Sequence, residues 1–236
     1  MSKLIIAIDG PVGSGKSSVA QRVANLSGYM HLDTGAMYRA IALKAMRHAI
    51  ALDNQAVVEA MAAETRIDFA SAGGLLRILL DGQDITEEIR GPEMSQKASL
   101  VAVFPSVRKV LVAEQRRIGA AGGVVIEGRD VGTVVFPHAG LKIYLDAAVE
   151  VRARRRWLEY KGKGQAVGFE RLLEEVKDRD RRDRERVLSP LRRAPDAVYI
   201  DSTAMEAEEV ARLIAMLASA RQKEISAAAA TPSPQS

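Results

Sequence analysis

Cysteine is absent from this 236-residue chain, which excludes a disulfide framework and a thiolate zinc site and fits a reducing compartment. Aromatic residues make up only 4%, too few for the stacking platforms on which single-stranded nucleic acids are held. No apolar run approaches the roughly 18 residues that a membrane helix needs. The first residues enter an apolar strand at once, with no signal-peptide pattern. A soluble, cytoplasmic protein is expected, with neither nucleic acid nor membrane as partner. A dominant charge sign is also lacking. The 34 basic residues are mixed with 30 acidic ones, and the net charge of +4 is as well explained by arginines that face a small phosphorylated substrate as by a polynucleotide. No long exposed apolar stripe asks for a second copy, so a monomer is the expectation.

What is present becomes readable at Gly10. Residues Gly10, Pro11, Val12, Gly13, Ser14, Gly15, Lys16 and Ser17 match G-x-x-x-x-G-K-[ST] in full. The apolar run Leu4 to Ile8 leads into the motif and the amphipathic stretch Ser18 to Leu26 leads out. A glycine-rich turn that matched by chance would lack this strand-loop-helix context. The glycines let successive N–H groups point inward around an anionic phosphate, and the following helix adds its positive N-terminal dipole. Lys16 is expected at the β- and γ-phosphates of a nucleoside triphosphate and the Ser17 hydroxyl on Mg²⁺. Residues Gly10 to Ser18 are the expected ATP-binding segment.

Further apolar segments read as buried parallel strands: Met30 to Leu32, Val124 to Ile126, Lys142 to Leu145 and Val198 to Ile200. Helical patterns such as Ala36 to His48 and Val149 to Tyr160 alternate with them. The fold class is α/β, a doubly wound parallel sheet of about five strands, with ligands bound beyond the carboxyl ends of the strands. That edge would carry the loop, Asp33 and Glu127. Residues 65–89 break the rhythm. Ile67 and Phe69, then Leu76, Ile78 and Leu80, then Ile85 suggest short antiparallel strands turned at Ala72-Gly73-Gly74 and Asp81-Gly82. Pro92 and Pro105 bracket one helix and Val107 to Arg117 begins another. The expected organisation is a single domain over 1–224, with a core of 1–60 and 96–224 and a β insertion at 61–95. An Ala-rich tail, 225–236, lacks periodicity and is expected to be disordered.

The loop alone is shared by GTPases, ATPases, motors and small-molecule kinases. Four segments together narrow the field: Ile8-Asp9-Gly10-Pro11, then Leu32-Asp33-Thr34-Gly35-Ala36-Met37-Tyr38-Arg39, then Glu127-Gly128-Arg129-Asp130-Val131-Gly132-Thr133-Val134-Val135-Phe136-Pro137, and Arg181-Arg182-Asp183-Arg184-Glu185-Arg186. With these segments the chain resembles the bacterial cytidylate kinase family from about Ile5 to Thr203. It departs in small ways: the family often has Ser at Thr34 and Asp at Glu127. The resemblance implies ATP-dependent phosphorylation of CMP, and of dCMP, by direct in-line transfer with Mg²⁺ as cofactor.

Carried over residue by residue, the resemblance implies that Arg39, Arg129 and Arg186 hold the acceptor phosphate. Ser99, Arg108 and Asp130 would read the cytosine edge, Arg179 and Asp183 would hold the sugar end, and Thr34 would belong to the CMP site. The chemistry agrees, since phosphoryl transfer to a monophosphate needs positive charge at two places and arginine binds phosphate in bidentate fashion. Spacings of i, i+4 and i+7 put Arg179, Asp183 and Arg186 on one helix face, although the run alone would read as a solvated helix stitched by ion pairs. The segment 151–168, with Arg152 to Arg156 followed by Gly162, Gly164 and Gly168, resembles the lid of such kinases. Arginines at its base would cover the transferring group, with Arg154 the catalytic candidate beside Lys16, Arg129 and Arg186. Asp9 and Glu127 could reach Mg²⁺ through water, although acidic residues at strand ends often cap turns. His31, His48 and His138 are read as structural, because a phosphate acceptor is already largely dianionic at pH 7. Trp157 and Tyr160 are read as packing or lid surface. The rival readings are a kinase for UMP, AMP or another small acceptor, a nucleotide-dependent switch, and nucleic-acid binding by the arginine-rich helix.

Overall fold

The computed structural model describes residues 3–72 and 75–230. In chain order its elements are β1 (Ile5–Asp9), α1 (Lys16–Ser27), β2 (Met30–Asp33), α2 (Thr34–Arg47), α3 (Gln55–Ala63), β3 (Ile67–Ala72), β4 (Leu75–Leu80), β5 (Gln83–Asp84), α4 (Pro92–Val101), α5 (Pro105–Gly119), β6 (Val124–Gly128), a π-type turn (Val131–Val135), β7 (Leu141–Asp146), α6 (Val149–Gly162), α7 (Phe169–Glu185), β8 (Val198–Asp201) and α8 (Ala207–Ala230). The chain divides into two units, one of Met1–Leu32 with Gly119–Ser236, the other Asp33–Ile118.

The first unit is built on a five-stranded sheet of order β2-β6-β1-β7-β8. Runs such as Ile5 to Ile8 and Val124 to Ile126 do not alternate, which marks strands buried on both faces, as parallel sheets require. β1 lies between β6 and β7 and is parallel to both, with Ile6 opposite Val125 on one side and Leu141 on the other. β8 extends the sheet in parallel beyond β7. Against it α1 and α8 bury Val19, Val23, Val210 and Ile214 over Ile6, Ile8, Ile143 and Leu145. The five expected strands and the loop between β1 and α1 are all present, each strand shifted by a residue or two at its ends. The strands β1, β6 and β7 end at Asp9, Gly128 and Asp146, so the loop and Glu127 share the carboxyl edge.

Two expectations change here. The tail expected to be disordered from Ile225 is helical through Ala230, because alanine is the strongest helix former and Ile225 packs against the core. Residues 231–236 of that expected tail lie outside the described residues. Arg186 stands just past α7 as an extended cap residue, where its Nε donates to Ser189 O at 2.6 Å, and not on the helix face with Arg179 and Asp183. The turn that leads to Pro190 takes the backbone out of the helix at this point.

The second unit carries the small antiparallel sheet, of order β3-β4-β5. Asp81 and Gly82 both have positive φ, 49° and 85°, the signature of a two-residue type I′ hairpin turn between Leu80 and its partner Gln83. The turn expected at Gly73-Gly74 lies outside the described residues. Ile85 falls just beyond the short β5, but its N–H still bonds Ile78 O at 3.0 Å and its side chain is fully buried. α2 packs on α3, α4 and β4. This packing draws the flanking helices into one unit with the sheet, Asp33–Ile118.

Candidate active site

The phosphate loop is shaped by close approach. At Gly10, with φ of 155°, an added Cβ would lie 2.0 Å from Leu145 O, and at Gly13, with φ of 76°, it would lie 2.8 Å from Arg152 O. Neither position admits a side chain. Lys16 opens α1, and its Nζ donates to Pro11 O at 2.6 Å and to Ser14 Oγ at 3.2 Å. Burial pushes the Lys16 ammonium well below the ordinary lysine value, and the Arg129 guanidinium pushes it the same way. An anionic phosphate beside Lys16 would relieve both effects, which is what a phosphate-binding lysine requires.

Ser17 Oγ donates to Glu127 Oε2 at 2.9 Å, while Glu127 Oε1 lies 3.0 Å from His31 Nε2. The other ring nitrogen of His31 is 3.2 Å from Gln21 Oε1. A hydroxyl and a carboxylate at a helix N-terminus are hard oxygen donors, and this pair fits Mg²⁺, which keeps several of its own waters. Asp9 is differently engaged. Its two carboxylate oxygens accept from Val131 N at 2.8 Å and Gly132 N at 2.7 Å, fixing the turn that follows Asp130. Burial raises its pKa to about 6 against the pull of those two hydrogen bonds.

Beyond the loop the same unit gathers Arg129, Asp130, Asp183 and Arg186. Arg129 Nε meets Asp183 Oδ2 at 2.9 Å, and Arg186 Nη2 lies 3.5 Å from Asp130 Oδ1. Burial opposes the charge of Arg129, but the Asp183 carboxylate outweighs it and raises the arginine pKa. Burial likewise opposes ionisation of Asp183, and Arg129, Arg179 and Arg186 together hold its carboxyl below the ordinary range. Arg129 and Asp183 thus hold each other in their charged forms, and the arginine-rich cluster is a setting for a phosphate and the hydroxyls near it.

In the second unit Asp33 caps α2 by accepting from Ala36 N at 3.1 Å, and its other oxygen pairs with Arg39 at 2.6 Å. Thr34 is buried at the first position of that helix. Arg108 is buried on α5 with its guanidinium 5.7 Å from the Tyr38 ring centroid, and Ser99 Oγ donates to Gln96 O at 2.6 Å on α4. Of the residues expected to read cytosine, Ser99 and Arg108 belong to this unit and Asp130 to the first.

The arginine run on α6 is not uniformly free to cover a ligand. Arg152 is buried and donates to Ala147 O at 2.8 Å and Val12 O at 3.0 Å, with Asp180 of α7 as counter-ion at 2.7 Å. Arg155 bonds Ser202 and Met205 and reaches Ser14 O at 3.4 Å. Arg156 meets the Tyr160 hydroxyl, whereas Arg154 is exposed. Added Cβ atoms at Gly162, Gly164 and Gly168 would meet nothing within 4 Å, so close packing is not what makes these positions glycine. Trp157 Nε1 donates to Val167 O at 3.0 Å and so ties this segment to α6.

His31, Gln21, Asp180 and Ser202 join the hydrogen bonds and ion pairs around these residues, contacts that the sequence does not single out. A hint for His31 lay in its position two before Asp33 on a strand, where side chains i and i+2 share a face. The loop, the carboxylate beside Ser17 and the arginine-carboxylate cluster all lie within a single unit.

The family model described as Cytidylate kinase matches residues 6–220. A cytidylate kinase of Geobacter sulfurreducens is 48% identical over 207 residues, covering 88% of this chain and 89% of its own. One from Pelotomaculum thermopropionicum is 47% identical over 220 residues, covering 93% and 97%. Among solved structures, a gluconokinase from Sinorhizobium meliloti 1021 aligns over 98% of this chain and 99% of its own, with a TM-score of 0.51 at 16% identity, a likeness of fold alone. A family match of this extent, over the loop and the arginine segments just described, means that the chain belongs to the cytidylate kinase family.

Proposed function

We propose that this protein transfers the γ-phosphoryl group of ATP to the phosphate of CMP, and of dCMP, giving ADP and the cytidine diphosphate. The observation that carries the reading is the Arg129–Asp183 and Arg186–Asp130 cluster in the unit that bears the phosphate loop. A nucleotide switch has no use for a second, arginine-rich phosphate site, whereas a monophosphate kinase needs one. The names of the relatives supply the base.

In this reading residues Gly10 to Ser18 surround the donor phosphates, and Lys16 stabilises charge on the β- and γ-phosphates as the bond to the leaving oxygen lengthens. Ser17, with Glu127 through water, would hold Mg²⁺, which would supply neutralisation of phosphate charge. Arg39, Arg129 and Arg186 bind the acceptor phosphate, with Arg179 and Asp183 at the sugar and Thr34 in the same site. Arg154, exposed on α6, is the arginine of the run left to approach the transferring group. Ser99, Arg108 and Asp130 meet the cytosine edge. Uracil exchanges a donor for an acceptor there, and a buried polar group left unpaired is what rejects an analogue. An acceptor oxygen of CMP attacks phosphorus in line, the bond to the ADP oxygen breaks, and no covalent enzyme intermediate forms.

The test is ADP formation from ATP and Mg²⁺ with CMP, dCMP, UMP, AMP or no acceptor, with the labelled product identified. Fast turnover with CMP and dCMP alone is expected. Preference for UMP, AMP or another acceptor would overturn the assigned base, and hydrolysis indifferent to every acceptor would leave the switch.

A further inference from the structure

In a trans peptide unit the carbonyl and the next residue's N–H point in opposite directions. Holding a carbonyl of the loop on one side therefore turns the following N–H to the other. Arg152 Nη1 holds Val12 O at 3.0 Å, and Arg155 Nη1 and Ser202 Oγ both reach Ser14 O at 3.4 Å. These contacts turn the N–H groups of Gly13 and Gly15 away from α6. Helix and loop are also in direct steric contact, because the space beside Gly13 is filled by the backbone of Arg152.

Arg152 is committed to this place by its other bonds. Its Nε donates to Ala147 O at 2.8 Å, and its Nη1 lies 2.7 Å from Asp180 Oδ2, with each side chain of the pair only 4% exposed. Swinging the guanidinium out to a ligand would leave a buried carboxylate alone. Asp180 Oδ1 is buried and has no hydrogen-bond partner among the described residues. A pair built for stability alone would be better replaced by apolar side chains. Asp180 sits on α7 between Arg179 and Asp183, so one guanidinium joins the loop to the helix that carries the sugar-binding residues.

We infer that Arg152 is a positioning residue: with Asp180 as counter-ion and Arg155 one turn further along α6, it holds the loop's N–H groups toward the donor phosphates and does not itself touch the transferring group. This rests on the reading of Gly10 to Ser18 as the ATP phosphate site.

The test measures ATP and CMP affinities by calorimetry, together with kcat and the melting temperature, in three variants. Arg152→Met combined with Asp180→Leu keeps the buried volume and removes both charges. It is expected to melt near the wild-type temperature and to weaken ATP by about tenfold or more, with CMP changed by less than about threefold. Arg152→Lys keeps the pair but cannot hold Val12 O and Ala147 O at once, so its ATP affinity should fall between the two. Asp180→Asn should weaken ATP as well, by releasing the guanidinium. A folded double variant with wild-type ATP affinity would show the pair to be structural only and overturn the inference. So would a fall in kcat at saturating ATP with affinity unchanged, since that places Arg152 on the transferring group. If the double variant fails to fold, unchanged ATP binding in Arg152→Lys overturns the inference in its place. A wild-type protein that bound ATP but ignored CMP would remove the proposed reaction and leave this result standing.

Discussion

Asp9 gives stability an unusual dependence on pH. It is 4% exposed, and burial lifts its pKa from the ordinary 3.8 to about 6, with Asp130 adding to the rise and the two backbone N–H groups and Lys16 opposing it. The folded state therefore binds the Asp9 proton more tightly than the unfolded chain does. Its contribution to stability is full below about pH 4, falls between about pH 4 and 6 as the unfolded chain gives up a proton that the folded one keeps, and is gone above about pH 6. A difference of about 2 between the two pKa values corresponds to about 3 kcal/mol. Most paired carboxylates act in the opposite direction, so the assay must isolate this one. Urea unfolding of the wild type and of Asp9→Asn across pH 4 to 7, at fixed ionic strength and without nucleotide, does so by subtraction. Asparagine does not titrate, and the stability advantage of aspartate over it should shrink by about 3 kcal/mol as pH rises, most steeply between about 4 and 6. A flat difference would refute the reasoning, and one that grew with pH would mean that the two N–H bonds outweigh burial.

Lys16→Ala should lower kcat by about 10²-fold or more while circular dichroism and melting temperature stay close to wild type, since Lys16 acts on developing charge. Asp183→Asn removes the carboxylate paired with the half-buried Arg129, leaving only the more distant Glu127 and Asp180, and should cost about 1–3 kcal/mol in chemical unfolding. Asp183 is held below its ordinary pKa, so its contribution is present above about pH 4 and is lost as pH falls through the lower folded value; the penalty of the variant should therefore shrink in acid. Arg186→Ala should raise the Kd for CMP far more than that for ATP in calorimetry, and equal losses would remove it from the acceptor phosphate.

The parts of this protein that were legible beforehand are those whose cause is local. The loop motif, the unalternating runs that become β1, β6 and β7, and the turn at Asp81-Gly82 each need only a few adjacent residues to be understood. Misreadings arose where distant partners decide. An arginine on α6 turns to a ligand or to a carbonyl according to packing, and Arg152 finds Val12 at a separation of 140 residues. Nothing in Arg152-Ala-Arg-Arg-Arg156 distinguishes the buried Arg152 from the exposed Arg154. The end of α8 is illegible for a different reason. Absence of an apolar period reads as disorder, whereas alanine propensity and one anchor at Ile225 suffice to continue a helix already begun. The contact of His31 with Glu127, 96 residues away, is likewise one that a three-residue strand segment cannot reveal.

The sheet order has a consequence for how the protein is made. β1 leaves the ribosome well before its neighbours on both sides, β6 and β7, at residues 124 to 146. Until those strands are synthesised β1 has no hydrogen-bonded partner, and Gly10 lacks the Leu145 carbonyl against which it packs. At about 5–20 residues per second the first strand waits for several seconds or more while the whole Asp33–Ile118 unit is completed. Residues translated before the Asp33–Ile118 unit thus become native only after it is complete, and a chain truncated before Val124 would display β1 as an apolar strand without either of its partners.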